Sequence, residues 1–244
     1  MLASSLWQST SSFIKVYTRS NINQCNICLA YSQNSICQDC LHALPRLGTH
    51  CPQCAEPNYH GHICGECLKS KPAFDRVITP YLFEDPVASM MQSFKRSSKV
   101  KGLNLLTHTL IHELESLDFD VIIPIPYHWR KLLRRGHNPS GILARQVSSR
   151  LSIPLIHPLK RSKVTLSQQA LNKEQRKQNV RNAFMLKPKF KASVKNKRIL
   201  LLDDVLTTGA TANAAAKVLK RYGAKSVVVA CIARTPISHL NKPR

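Results

Sequence analysis

Acidic residues are scarce in this chain: 13 Asp and Glu face 36 Lys and Arg, for a formal net charge of +23 over 244 residues. From Val121 to Leu202 the sequence holds nineteen basic residues and a single acid, Glu174. Such a stretch attracts polyanions, whether nucleic acid, a pyrophosphate-bearing small molecule or an anionic membrane surface, since the long-range field does not distinguish them. A solvated basic face without a specific ligand is the plainer alternative. Aromatic residues make up only 6%, fewer than a dedicated base-stacking platform would suggest. No window approaches 18 consecutive apolar residues, which argues against a spanning helix. The opening Met1 to Lys15 lacks the basic start and continuous apolar core of a secretory signal, and the expected location is the cytoplasm. No Gly-x-x-x-x-Gly-Lys-Ser/Thr occurs, which argues against a P-loop nucleotidase. Hydrophobic content of 43% and this length suit one sizeable globular domain plus a small module.

Cysteine, by contrast, is concentrated. Eight of the nine fall in Cys-x-x-Cys pairs, Cys25/Cys28, Cys37/Cys40, Cys51/Cys54 and Cys64/Cys67. Two thiolates three positions apart on a tight knuckle can face one tetrahedral Zn²⁺ at about 2.3 Å. Four such pairs with no surrounding βαβ pattern argue against redox chemistry, and a reducing cytosol argues against disulfides. The expected metals are two structural Zn²⁺ ions, because four thiolates leave no coordination position for substrate. Sites filled in chain order suit the spacing, and crossed pairing suits it as well. His42, His50, His60 and His62 are alternative ligands, although four cysteines already complete each set. Cys231, in the apolar run SVVVACIA, reads as a buried core residue. The resulting division is a tail over 1–22, a double zinc ribbon over 23–70 and a larger domain over 71–244.

Beyond Phe74 apolar segments alternate with helical patterns. FDRVITPYLFEDP predicts one or two short strands, and MMQSFKRSSKVKGLNLLTHTLIHELESL one or two helices. DVIIPIP predicts a strand, ILARQVSSRL a helix and LSIPLIHPL a short strand. KNKRILLLDD and SVVVACIAR are further strands. This alternation implies an α/β fold, a parallel sheet covered by helices. Ligands in such sheets gather beyond the carboxyl ends of the strands, where both DVIIPIP and ILLLDD finish. Asp203 and Asp204 therefore sit at a strand end. The following loop, Thr207, Thr208, Gly209, Ala210 and Thr211, presents amides and hydroxyls at a helix N-terminus, which favours a phosphate. Paired carboxylates suit the vicinal hydroxyls of a ribose or the vicinity of Mg²⁺. Phosphate and diol together point to a sugar phosphate; an ordinary threonine-capped helix after an acidic strand end is the competing reading.

The run Asp-Asp-Val-Leu-Thr-Thr-Gly-Ala-Thr resembles the phosphoribosyl pyrophosphate (PRPP) motif of type I phosphoribosyltransferases. With the four Cys-x-x-Cys pairs, the strand VIIPIP, the basic loop WRKLLRRGHN and the stretch TLSQQALNKEQRKQNVRNAF, the chain from Cys25 to about Arg234 resembles the ComF family of competence proteins and related GntX proteins. The resemblance implies a type I phosphoribosyltransferase fold with a small N-terminal zinc-ribbon module of four-cysteine sites. It implies that Asp203 and Asp204 hold the ribose hydroxyls in the catalytic site, and that residues 207–211 cradle the 5′-phosphate. Arg130, Lys131, Arg134 and Arg135 would meet the pyrophosphate with Mg²⁺, and Gln168, Arg176 and Asn179 would lie in a lid segment. It further implies transfer to an unidentified acceptor and a part in DNA uptake. A non-catalytic factor that binds single-stranded DNA and works with the uptake machinery, retaining a PRPP site, is the other expectation. The family pattern Arg-Gly-Phe-Asn-Gln is here Arg135-Gly136-His137-Asn138-Pro139, and proline fixes φ and removes a donor.

Overall fold

In the computed structural model, residues 24–25, 27–34, 36–96, 103–161 and 183–240 are described. Packing divides the chain into two compact units, Met1–Ala43 and Leu44–Arg244. Among its described residues the smaller holds the short helix α1 (Gln38–His42) and an antiparallel bridge from Gln24 to Tyr31. The second pair of Cys-x-x-Cys motifs belongs to the larger unit, where the helix α2 (Gly65–Lys69) starts immediately after Cys64.

The larger unit continues with β1 (Arg76–Ile78), β2 (Tyr81–Leu82), α3 (Val87–Arg96), α4 (Leu103–Leu114) and β3 (Val121–Pro124). Then come α5 (Trp129–Arg135), α6 (Pro139–Leu151), β4 (Leu159–Arg161) and β5 (Phe184–Leu186). A short helix α7 (Lys191–Val194), β6 (Arg198–Leu202), β7 (Val205–Leu206), α8 (Ala210–Arg221), β8 (Ser226–Ala230), β9 (Ala233–Arg234) and α9 (Ile237–Leu240) follow among the described residues.

The main sheet is parallel, in the order β1-β8-β6-β3. Its central strands are buried on both faces, which is why RILLL and SVVVA read as near-continuous apolar runs rather than alternating ones. One face is covered by α8, whose Ala212, Ala215, Ala216 and Leu219 recur at helical spacing and are all fully buried. Alanine at these positions lets the helix backbone lie close to Ile199, Leu201, Val227 and Val229, members of the same core. α6 packs on β3 and β6, and α4 packs on α6.

A second parallel sheet, β2-β9-β7, repeats the strand order β1-β8-β6. Three neighbouring strands thus stop and restart at one level, at Thr79–Pro80, Cys231–Ile232 and Asp203–Asp204. The linkers stay pinned to each other across this break. Cys231 N–H donates to Ile78 O (3.1 Å), Asp203 N–H to Ala230 O (3.0 Å) and Ile232 N–H to Asp204 O (3.1 Å).

Two segments differ from their sequence reading. WRKLLRRGHN, read as a basic loop, contains the seven-residue helix α5, whose Leu132 N–H donates to His128 O at 3.0 Å. LSIPLIHPL is not a strand: Leu155 makes an isolated parallel bridge to Ile122, and the antiparallel β4-β5 pair begins only at Leu159. Pro154 and Pro158 each remove a ladder donor, which accounts for the interruption.

Replacing Leu201, fully buried between two strands, with alanine should lower stability by about 2–5 kcal/mol. The measurement is a fall in the denaturant midpoint with the slope unchanged.

Candidate active site and cysteine centres

The break after β6 decides how the carboxylates are held. Asp203 and Asp204 are 8% and 6% exposed. Asp203 Oδ1 accepts from Ser140 Oγ (2.9 Å), on the first turn of α6, and from the Asp204 amide (2.9 Å). Asp204 Oδ2 lies 3.2 Å from Lys95 Nζ, at the end of α3. Burial, then the charge of Asp204, pushes the Asp203 carboxyl up to about 7. Asp203 is therefore a buried acid whose ionised form becomes favourable when a hydroxyl or cation arrives.

Other groups gather around the pair. Tyr127, three residues beyond β3, has its phenol pushed well above the usual range, by burial first and then by the charges of Asp204 and Asp203. Arg135 Nη1 donates to Tyr127 Oη (3.2 Å), with its guanidinium carbon 5.6 Å from that ring's centre. The Arg161 guanidinium is shifted downward by burial against the opposing pull of Asp203 and Tyr127, and it lies 5.4 Å from the Phe184 ring centre. Lys95, Tyr127, Ser140 and Arg161 were absent from the sequence expectation. They come from α3, the segment after β3, α6 and β4, and only the fold brings them together.

The loop after β7 leads straight into α8. Gly209 takes φ 72° as its N-cap, a left-handed conformation that a side chain would strain. Thr208 Oγ1, one residue before the N-cap, accepts from the Ala210 amide at 3.3 Å, and the helix begins one residue ahead of Thr211. Residues 207–211 are half-buried. The N-terminal turn of this twelve-residue helix, through its dipole, favours an anion beside the loop.

Of the four basic residues expected near this site, Arg130, Lys131 and Arg134 lie on α5, and Arg135 is its last residue. The departures at His137 and Pro139 fit locally. Pro139 is the first residue of α6, where no amide donor is needed, and Asn138 is the N-cap. His137 Nε2 is 3.2 Å from Phe94 O, and Asn138 Nδ2 donates to Ile125 O (3.2 Å). Gln168, Arg176 and Asn179 lie outside the described residues.

The cysteines form two groups in chain order, Cys25/Cys28/Cys37/Cys40 and Cys51/Cys54/Cys64/Cys67, each with its sulfurs within 4.8 Å of one another. Four ligands at about 2.3 Å from one tetrahedral ion would lie about 3.8 Å apart. The Cys28–Cys37 and Cys54–Cys64 Sγ separations, 3.7 and 3.5 Å, fit this, so each group could hold a metal ion. Burial opposes ionisation of Cys25 and Cys51, but backbone N–H donors outweigh it and bring them down to about 6 and about 7. Amides of Ile27 and Cys64 lie 3.4 and 3.3 Å from the Cys25 and Cys51 sulfurs, as knuckle geometry requires. His50 instead points its Nδ1 at Gly48 O, 2.6 Å away. Cys231 is fully buried, its thiol pushed up to about 12 by burial.

A family model for the phosphoribosyl transferase domain matches residues 132–243. The chain is 32% identical over 218 residues to Competence protein F of Haemophilus influenzae, covering 84% of this chain and 93% of that protein. It is 32% identical over 220 residues to DNA utilization protein YhgH of Escherichia coli K12, covering 86% and 95%. Among solved structures, purine phosphoribosyltransferase from Pyrococcus horikoshii aligns over 55% of this chain and 73% of its own, with 23% identity and a TM-score of 0.37.

The raised Asp203 pKa carries a sign. An acid whose folded pKa exceeds its unfolded value contributes stability that is complete below about pH 4 and is lost as pH rises through about 7. Asp203→Asn should therefore melt higher than the parent at pH 8, by roughly 2–4 °C per kcal/mol recovered, with the gain shrinking toward pH 5. Calorimetric melting across that range is the check.

Proposed function

The chain belongs to the competence protein F family, and we propose that it binds PRPP with Mg²⁺ and acts as a phosphoribosyltransferase-like protein in DNA uptake. Its larger unit has the type I phosphoribosyltransferase α/β fold, and two cysteine groups compatible with zinc ribbons lie ahead of the main sheet in the chain. The observation that carries the reading is the position of the buried Asp203–Asp204 pair, three residues before a half-buried loop that opens α8.

On this reading Asp203 and Asp204 accept the two ribose hydroxyls. The amides and hydroxyls of 207–211 receive the 5′-phosphate. Arg135, with Arg130, Lys131 and Arg134 on the same helix, meets the pyrophosphate. As the C1–O bond breaks, the bonding pair leaves with pyrophosphate and positive charge develops at C1, which the aspartates favour electrostatically. Mg²⁺ would supply further neutralisation of the departing anion. An acceptor nitrogen then gives its lone pair to C1 and loses a proton. Zn²⁺ is the metal assigned to both cysteine groups, in a structural role, and the cytoplasm is the assigned compartment. Among the described residues no helix is long and apolar enough to cross a membrane.

Calorimetry of PRPP with Mg²⁺ against the metal-loaded protein tests this. Saturable binding is expected, with Asp204→Asn weakening it about tenfold or more. Unchanged affinity in that variant would remove the site assignment.

A second reading, a non-catalytic single-stranded-DNA-binding factor, is favoured by one feature. At the amino ends of β6 and β8 a cavity of about 410 Å³ is lined by Lys191, Lys195, Arg221 and Tyr222. Lys191 Nζ is 5.9 Å from the Tyr222 ring centre, so charge and an aromatic face occur together. Oligonucleotide anisotropy against salt should give a log–log slope near −0.7 per phosphate contact, made shallower by about 1.4 in the Lys191→Ala/Lys195→Ala double variant. On this reading Asp204→Asn leaves DNA affinity intact.

A further inference from the structure

Arg234 carries charge where charge is costly. It ends β9, the middle strand of the small sheet, and is 2% exposed. A buried guanidinium persists only when its N–H groups find acceptors, and five surround this one. Nε donates to Cys54 O (3.2 Å) and Nη2 to Glu56 Oε2 (2.6 Å). Nη1 donates to Leu206 O (3.3 Å) and to the Thr207 and Thr235 carbonyls. Two acceptors therefore belong to the second cysteine knuckle, and two to the entrance of the 207–211 loop.

The knuckle end of this contact is set by the cysteines. Cys51 N–H donates to Glu56 O (2.8 Å), Ala55 N–H donates to Cys51 O (2.9 Å), and Ala55 takes φ 56°. Glu56 thus leaves a turn whose closure depends on Cys51 and Cys54, two members of one sulfur group. Glu56 Oε1 also accepts from the Ile237 amide (2.8 Å). A metal held by that group would brace the turn.

The loop end has a directional consequence. In a trans peptide the C=O and the following N–H point in opposite directions. Tying the Leu206 and Thr207 carbonyls to Arg234 therefore turns the Thr207 and Thr208 amides away from it.

We propose that Arg234 is a positioning residue that links occupancy of the Cys51/Cys54/Cys64/Cys67 centre to the anion-receiving form of residues 207–211. This regulation rests on reading that loop as a phosphate cradle. Metal at the knuckle holds Glu56, Glu56 and Cys54 hold the guanidinium, and the guanidinium holds the amides in place.

The test uses the full-length, metal-loaded protein and the variants Glu56→Gln and Arg234→Lys, with metal content measured first. Both metals are expected to remain in Glu56→Gln. Its 207–211 amides should exchange hydrogen about tenfold faster while β6 amides keep their protection. PRPP affinity should fall about tenfold in parallel. Stripping metal with a chelator should loosen the same amides in the parent and add little in Glu56→Gln, as expected for a shared path. Parental exchange at 207–211 in Glu56→Gln overturns the proposal, and this variant decides alone should Arg234→Lys fail to fold. If the parent itself does not bind PRPP, the cradle reading fails, and the exchange comparison still decides whether the knuckle and the loop are linked.

Discussion

A parallel ladder that stops on three adjacent strands and resumes two residues later is the constraint from which the site follows. Backbone groups inside a sheet are committed to neighbouring strands, and side chains there must fit the layers above and below. At the interruption the regular ladder breaks, while the three linkers stay bonded to one another through Cys231, Ile232 and Asp203. Two carboxylates can then occupy the interior edge of an otherwise apolar fold. Their burial is tolerated because Ser140, the Asp204 amide and Lys95 take up their oxygens.

The same interruption produces the loop that follows. β7 is only two residues long, Val205–Leu206, and its partner β9 ends in Arg234. A two-residue strand does not by itself hold the chain that leaves it. Here the guanidinium adds fixed contacts beyond the ladder, and Gly209 supplies the left-handed turn that lets α8 begin at once. Carboxylates, loop and helix start are therefore consequences of one local geometry within eight residues.

Much of this was legible in the amino-acid order. RILLL and SVVVA are apolar throughout because parallel interior strands see packing on both faces, and the alanine face of α8 announced the helix laid over them. The aspartates and the Thr-Thr-Gly turn were visible as a pattern. What escaped is instructive in physical terms. α5 is a short helix in a segment so basic that its charge dominated the reading, and its boundaries depend on contacts from His128 to Gly136. The segment around Leu155 looked like a strand by composition, but prolines limit it to a single bridge. Lys95, Tyr127, Ser140 and Arg161 stand far from the aspartates in the chain, and no local periodicity marks them. Arg234 did leave a trace: a lone cation closing the apolar run VVVACIAR must either reach solvent or find partners inside.

The distribution of charge along the strand axis has a consequence for how the molecule would lie against a large anion. The amino ends of β6 and β8 carry the lysines and the arginine of the 410 Å³ cavity, whereas the carboxyl end of β6 carries the aspartates. A long negatively charged strand seated in that cavity would thus lie at the opposite end of β6 from the aspartates. Held that way, its opposite rim would still open to the bulk, and a small metabolite could come and go without displacing the polymer.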